Sequence, residues 1–283
     1  MIIVGVDGSQ TGLDATGWAA AEAAVRNVPL TVAHACPKWL CEESGDRYAE
    51  VGRWMREQAH TVLTEAEDRA RREQPGISVE SALLPGDPRT ALIRVSERAE
   101  LLVVGCRGIG GVRGLLVGSV AYGVAAHAAT TVVLVPEPPT APRDEVVVGA
   151  DGSPGGARAL GFAFREAELR GLRLRAVHAW AWPHPGGFEP ADPQSERYEQ
   201  RRLMDWLTVH RERHPDVEMV AEVVHGHPVE VLREAAVGAA LLVVGSRGRG
   251  QVAGMILGSV SQAMLHHAPC PLAVVRPAAD VTR

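Results

Sequence analysis

Short apolar runs alternate with longer amphipathic stretches along the first half of the chain. The runs are rich in Val, Ile and Leu and are bounded by Gly, Pro or Asp, which predicts β-strands at 2–6, 30–35, 77–83, 101–105 and 131–135. The stretches between them predict helices near 11–26, 47–73, 89–99 and 119–128. Nearly continuous apolar strands separated by helices indicate an α/β fold with a parallel sheet covered on both faces.

The second half of the chain repeats the pattern of the first. Residues 2–9 read IIVGVDGS and residues 146–153 read VVVGADGS, while LLVVGCRGIGG at 101–111 returns as LLVVGSRGRGQ at 241–251. The predicted strands of this second copy lie near 145–150, 172–179, 217–224, 241–245 and 272–275. A repeat this long indicates two domains of one fold, because solenoid repeats are several-fold shorter.

The offset between the copies locates the domain boundaries. Asp7 and Asp151 lie 144 residues apart, whereas Gly105 and Gly245 lie 140 apart, so the second copy lacks four residues between its second and third strands. The four prolines of segment 136–142 predict a stiff, non-helical connection. The predicted organisation is a first domain at 1–136, a Pro-rich linker at 137–143 and a second domain at 144–277.

Composition excludes several classes of protein. Hydrophobic residues make up 46% of the 283 and charged residues 22%, which is typical of a globular chain. The net charge of −5 argues against non-specific nucleic-acid binding. No uninterrupted apolar stretch reaches the roughly 18 residues of a membrane span, and an acid stands at position 7, so we expect a cytoplasmic protein. The four scattered cysteines predict neither a disulfide framework nor a metal site.

Lysine is almost absent from the chain. The single lysine, Lys38, stands in Pro37-Lys38-Trp39, and the other 28 basic residues are arginines. A Walker-type nucleotide site needs a lysine in the pattern GxxxxGK[ST], so that class of NTPase is excluded.

A glycine pattern follows the fourth strand of each copy. Gly105 and Gly108 precede Gly118-Ser119 in the spacing G-x2-G-x9-G-S, and the second copy repeats it without slippage. Glycines let a backbone approach an oxyanion closely, and the following helix N-terminus favours negative charge. A serine there can cap the helix or donate to a phosphate oxygen. Ligands of open parallel sheets bind beyond the carboxyl ends of the strands, so we predict a phosphate site there.

The surroundings of both glycine loops contain no acid. Residues 101–136 and 235–279 have no Asp or Glu, yet arginines occur inside them: Arg107, Arg113, Arg247, Arg249 and Arg276. This charge pattern favours two anion sites. The alternative interpretation is that apolar strands and buried helices simply lack acids.

Asp7 and Asp151 end the first strand of each copy. A carboxylate at that position can accept hydrogen bonds from a ribose hydroxyl or an adenine amine. Asp-Gly-Ser is also good capping chemistry for the following helix, and both roles are compatible. Ala35 and Ala179 end the second strands, where small side chains leave room for a flat base, and the neighbouring His34 and His178 are predicted to be packed, structural residues.

Taken together, the repeated DGS, the G-x-P before the third helix and the G-x2-G-x9-G-S pattern resemble the universal stress protein family over almost the whole chain. The resemblance implies two tandem doubly wound domains, each a five-stranded parallel sheet of order 3-2-1-4-5, and binding of ATP. For the first domain it implies a site of Gly5, Asp7, Ala35, Gly105, Arg107, Gly108, Gly118, Ser119 and Val120. For the second it implies Gly149, Asp151, Ala179, Gly245, Arg247, Gly248, Gly258, Ser259 and Val260.

The resulting hypothesis is a stress-response regulator with two ATP sites per chain, with or without Mg²⁺ on the nucleotide. The resemblance also implies pairing of the two domains through their fifth strands and a homodimer, and a regulator needs a protein partner, which the sequence does not identify. No nucleophile with a base and no carboxylate cluster indicates catalysis. Two alternatives stay open: a slow ATPase or phosphotransferase in which Asp7 or Asp151 assists a metal or water, and a nucleotide-free interaction scaffold.

Overall fold

The computed structural model describes residues 1–41, 49–108, 117–137, 143–180, 183–184, 187–188, 193–249 and 256–276. The chain divides into two compact units, and their described residues lie within 1–137 and 143–276. Residues 138–142, which make up most of the predicted linker, lie outside the described residues.

Unit 1 alternates strands and helices from its first residues. Its strands are β1 Ile2–Gly5, β2 Leu30–Cys36, β3 Val79–Pro85, β4 Leu101–Gly105 and β5 Thr131–Val135. Its helices are α1 Gln10–Arg26, α2 Lys38–Cys41, α3 Ala49–Glu73, α4 Pro88–Val95 and α5 Ser119–His127, and a 3₁₀ turn at Ser96–Arg98 follows α4.

Unit 2 follows the same scheme and adds two very short strands. Its strands are β6 Arg143–Gly149, β7 Arg173–Trp180, β8 Pro183–His184, β9 Gly187–Phe188, β10 Met219–His225, β11 Ala239–Gly245 and β12 Leu272–Val275. Its helices are α6 Pro154–Arg170, α7 Pro193–Arg213, α8 Pro228–Ala235 and α9 Ser259–His267. Strands β8 and β9 form a separate antiparallel pair.

Each unit contains a five-stranded parallel sheet. The order is β3-β2-β1-β4-β5 in unit 1 and β10-β7-β6-β11-β12 in unit 2. The predicted fold class, with strand order 3-2-1-4-5 in both copies, is confirmed. In each unit the sheet continues on both sides of its first strand, which is β1 in unit 1 and β6 in unit 2. The crevice beyond the carboxyl end of that strand is therefore the topological switch point of the unit, where such sheets bind ligands.

The central strands form the core. All side chains of β4 from Leu101 to Val104 are buried, as are those of β11 from Leu241 to Val244. Burial along consecutive residues fits a sheet covered on both faces. Strand β3 begins two residues later than predicted, at Val79, which pairs with Leu30 of β2, and the Leu30 amide donates a hydrogen bond to the carbonyl of Ser78 just before the strand.

Candidate functional site

Each unit has a cavity at the carboxyl ends of its strands. The cavity of unit 1 has a volume of about 470 Å³ and that of unit 2 about 500 Å³. All nine predicted site residues of the first copy line the first cavity: Gly5, Asp7, Ala35, Gly105, Arg107, Gly108, Gly118, Ser119 and Val120. The second cavity is likewise lined by Gly149, Asp151, Ala179, Gly245, Arg247, Gly248, Gly258, Ser259 and Val260.

A serine, and not the aspartate before it, caps the first helix of each unit. The Ser9 side chain accepts a hydrogen bond from the Gly12 amide at 3.1 Å, and the Ser153 side chain takes the equivalent role in unit 2. Asp7 Oδ1 accepts from the Ser9 amide at 3.0 Å, so this carboxylate is held in the turn on the cavity wall.

The glycine loop approaches the aspartate too closely for any side chain. A Cβ on Gly108 would lie 2.4 Å from Asp7 Oδ2, and a Cβ on Gly248 would lie 2.6 Å from Oδ2 of Asp151. The start of the loop is equally tight, since a Cβ on Gly105 would lie 2.7 Å from the carbonyl oxygen of Thr11. The spacing of glycines therefore serves to press the loop against the first turn of α1 or α6.

The helix that follows each loop begins without a side-chain cap. Gly118 and Gly258 are the N-cap residues of α5 and α9, and no side chain in the described residues bonds to the first-turn amides, in contrast to α1 and α6. Of the two roles predicted for Ser119, capping is thus wrong, because Ser119 is already the first helical residue, and donation to a phosphate oxygen stays a prediction. The first turns line the cavities through Ser119, Val120 and Ala121, and through Ser259, Val260 and Ser261. Unpaired amides and the helix dipole favour an anion at such an end.

The arginines of the two loops have different surroundings. Arg107 forms an exposed ion pair with Glu137, with Nη2 2.6 Å from Oε1. Position 276 corresponds to Pro136 in the first copy, and there unit 2 has an arginine whose pKa is lowered by burial and by the charge of Arg247. Arg113, in the acid-free stretch of the first copy, lies outside the described residues.

Helix α7 adds charged and aromatic residues to unit 2 that the sequence reasoning missed. Glu199 is 7% exposed and its Oε2 lies 3.0 Å from both His178 Nε2 and Arg202 Nη1. The Arg202 guanidinium carbon lies 5.1 Å from the centre of the Trp206 ring, and His178 contacts the same ring edge-on. His178, Glu199 and Arg202 line the second cavity.

The corresponding positions of α3 carry none of these groups. Ala59, Val62 and Ala66 stand there, 140 residues before the α7 residues. In the sequence of α7 alone, these charged residues resemble the solvent-facing surface of a helix. The difference from the equivalent positions of α3 is the signal that could have identified Glu199 and Arg202 as cavity residues.

The histidine of the second strand makes the same kind of contact in each unit. His34 Nδ1 lies 2.8 Å from the carbonyl oxygen of Val6, and His178 Nδ1 lies 2.7 Å from that of Ala150. Each ring therefore ties the second strand to the residue before the cavity aspartate.

Two kinds of feature are missing from the described residues. No helix there is both long and apolar enough to span a bilayer. Nor does that part of the chain bring together three or more His, Cys, Asp or Glu side chains in a group that could hold a metal ion.

Comparison with known proteins gives a consistent result over both units. The family model described as "Universal stress protein family" matches residues 1–136 and 142–276. A universal stress protein of Mycobacterium tuberculosis is 37% identical over 292 residues, covering 97% of this chain and 96% of its own. A crystal structure of a universal stress protein from Archaeoglobus fulgidus covers 97% of each chain with a TM-score of 0.73 at 22% identity. A universal stress protein solved in complex with cAMP is 34% identical and covers 47% of this chain and 94% of its own, with a TM-score of 0.39.

Proposed function

Because the chain belongs to the universal stress protein family, we propose that it binds ATP at two sites, one per unit, and acts as a nucleotide-dependent regulator in the stress response. One observation carries the proposal. In each cavity an uncapped helix N-terminus stands over a glycine loop at one end, while a carboxylate lies on the wall.

The parts of ATP match the parts of the cavity. The triphosphate would accept hydrogen bonds from the first-turn amides of α5, with Arg107 beside them. Asp7 would accept from a ribose hydroxyl. The adenine would lie against the small and apolar side chains of Ala33, Ala35 and Leu92. Cavities of about 470 and 500 Å³ fall within the usual range for small-molecule sites.

The chemistry of the site favours binding over turnover. Burial raises the pKa of the Cys106 thiol, which lines the first cavity, to about 12, so this group stays protonated near neutral pH. With no cluster of metal-ligating side chains in the described residues, a Mg²⁺ ion would be held mainly by the phosphates of the nucleotide. The proposal includes a cytoplasmic location, a homodimer and a protein partner that senses the bound state.

Calorimetric titration with ATP tests the proposal, and two bound nucleotides per chain are expected. Gly118→Ala and Gly258→Ala should each remove one site. The nearest atoms to the new Cβ would be 3.6 and 3.4 Å away, so the fold can accept the methyl group, which would occupy the space before the helix N-terminus. Gly76→Ala, whose Cβ would meet nothing within 4 Å, is the matched control.

The rival functions give different results in the same preparation. Undiminished ATP affinity in the Gly118→Ala/Gly258→Ala variant would refute the phosphate-site assignment. Absence of any nucleotide binding, including cAMP, would favour the scaffold. Steady phosphate release with Mg²⁺, abolished by Asp7→Ala together with Asp151→Ala, would favour the slow ATPase or phosphotransferase.

A further inference from the structure

The second cavity has a cationic wall, formed by two arginines that were not among its predicted site residues. Arg202 reaches it from α7 and Arg249 from the glycine loop, and both line the cavity. Their guanidinium carbons lie 5.1 and 5.5 Å from the centre of the Trp206 ring. Two arginines from distant parts of the sequence therefore meet at one aromatic side chain.

Trp206 is fixed beside the cavity aspartate. A Cβ on Gly152, the residue after Asp151, would lie 2.2 Å from the Trp206 ring, so the indole packs directly on the backbone of this turn. The buried His178 ring contacts the same indole edge-on, with the ring centroids 5.1 Å apart. The Trp206 ring, over which both guanidinium groups lie, thus packs against the turn that carries Asp151.

Arg202 is held in place while most of its donors stay outside the ion pair. Arg202 donates to Glu199 through Nη1, which lies 3.0 Å from both carboxylate oxygens. A guanidinium has five N–H donors in a fixed planar arrangement, which suits bidentate binding of a phosphate. Glu199 is therefore a positioning residue for Arg202.

Asp151 is already engaged by protein donors. Its Oδ1 accepts from the amide and hydroxyl of Ser153 at 2.9 and 2.7 Å, and its Oδ2 accepts from the Arg249 amide at 3.2 Å. Three hydrogen bonds from protein donors therefore compensate part of its charge, while Arg202 and Arg249 line the same cavity.

In the part of unit 1 that the structure describes, the first cavity has no such wall. The positions equivalent to Glu199, Arg202, Trp206 and Arg249 are Ala59, Val62, Ala66 and Ile109 in the sequence. Among the charged residues that line the cavities, unit 1 has Asp7 and Arg107, whereas unit 2 has Asp151, Glu199, Arg202, Arg247 and Arg249. Counted over the described residues alone, the lining of the second cavity therefore carries one net positive charge and that of the first carries none.

From this geometry we infer that the second cavity takes an adenine nucleotide bearing a phosphate on a ribose hydroxyl in addition to its 5′-phosphate. The inference rests on the proposed function, which places the ribose at Asp151 and the 5′-phosphates at α9. Arg202 and Arg249 then bind the ribose phosphate, while the first cavity takes nucleotides whose ribose hydroxyls are free.

Titration with isomers of equal phosphate number tests the inference. We expect adenosine 3′,5′-bisphosphate or adenosine 2′,5′-bisphosphate to bind one site per chain about tenfold or more tightly than 5′-ADP, since charge-assisted hydrogen bonds at the ribose exist only for the bisphosphates. Arg249→Gln, at an exposed position, and Arg202→Gln should each remove most of this preference, because they lower the affinity for the bisphosphates several-fold more than the affinity for ATP. Glutamine at position 202 can still donate to Glu199.

Arg201→Gln, on the exposed side of α7, is the matched control and should keep the preference. Equal affinity of the bisphosphates and ADP in a chain that binds two ATP would overturn this inference and leave the proposed function intact. Equal losses of ATP and bisphosphate affinity in the arginine variants would also overturn it, because both arginines would then bind the 5′-phosphates. If ATP itself does not bind, the proposed function and this inference fail together.

Discussion

The two cavities share their backbone and differ in their side walls. Both have the glycine loop pressed against the aspartate turn and a helix that starts without a side-chain cap. Their side walls have diverged, with Ala59 and Ala66 on α3 against Glu199 and Trp206 on α7. An anion site made of amides depends on chain path and not on side-chain identity, so neighbouring positions are free to change after a duplication.

The equivalent loop arginines of the two units have different charged neighbours. In unit 1 the loop arginine, Arg107, is paired with an exposed glutamate, which in water contributes little to stability. In unit 2 the equivalent Arg247 lies near a second, half-buried arginine, Arg276, and α7 adds a further ion pair inside the cavity. The same loop thus stands in two electrostatic environments.

Removing the carboxylate of Glu199 should give the largest change in stability. Glu199→Ala leaves the buried His178 ring and Arg202 without their partner, and we expect the free energy of unfolding of unit 2 to fall by about 3 kcal/mol. Hydrogen exchange resolved by peptide separates the two units. Glu196→Ala, at an exposed position of the same helix, is the control, and equal protection in both variants would contradict a structural role for the pair.

Adding a methyl group to the shared scaffold should affect the two units equally. Gly105→Ala and Gly245→Ala each place a Cβ within 2.8 Å of backbone atoms in the first turn of α1 or α6. We expect a loss of about 1–3 kcal/mol of unfolding free energy in the altered unit only. The measurement is again peptide-resolved exchange. A loss confined to one of the two variants would show that the loops are not packed alike.

Acid should weaken unit 2 selectively, through the smallest of these effects. Burial, helped by the charges of Arg213, His214 and Arg165, lowers the pKa of His210, which stacks on Phe164. The unfolded chain therefore binds the proton more readily, and stability falls as pH drops below the ordinary histidine value of 6.5. The slope of the unfolding free energy against pH is proportional to the number of protons taken up on unfolding. His210→Gln should reduce that number, by less than about one proton.

The same substitution at His60, exposed on α3 of unit 1, is the comparison for this experiment. Ala70 is the residue of unit 1 equivalent to His210. An unchanged slope for His210→Gln between pH 7.5 and 5.5 would show that another group controls the acid response.

The fold was predictable because strand periodicity and the internal repeat agree. The apolar run at Leu101–Val104 is short, contains β-branched valines and ends at a glycine, which indicates a buried strand, and its copy at Leu241–Val244 repeats the same pattern. The short α2 and the β8–β9 pair were missed, since four-residue and two-residue elements leave no periodic signal.

The cavity lining was predictable at the glycine loops and not on helix α7. Glycine spacing reports directly on close approach, and the residues named from it line the two cavities. Arg202 and Glu199 were invisible because charged residues at helical spacing usually face solvent, and only tertiary packing turns them inward. The sequence did not show which residue of the Asp-Gly-Ser segment caps α1, Asp7 or Ser9, since both residue types favour helix starts.

Both cavities belong to one polypeptide, which has a consequence for signalling. Their ratio is fixed at one to one at any protein concentration, and two dissimilar sites give four occupancy states per molecule. A partner able to distinguish the doubly filled state would respond to the coincidence of two metabolites, with no need for assembly of separate subunits.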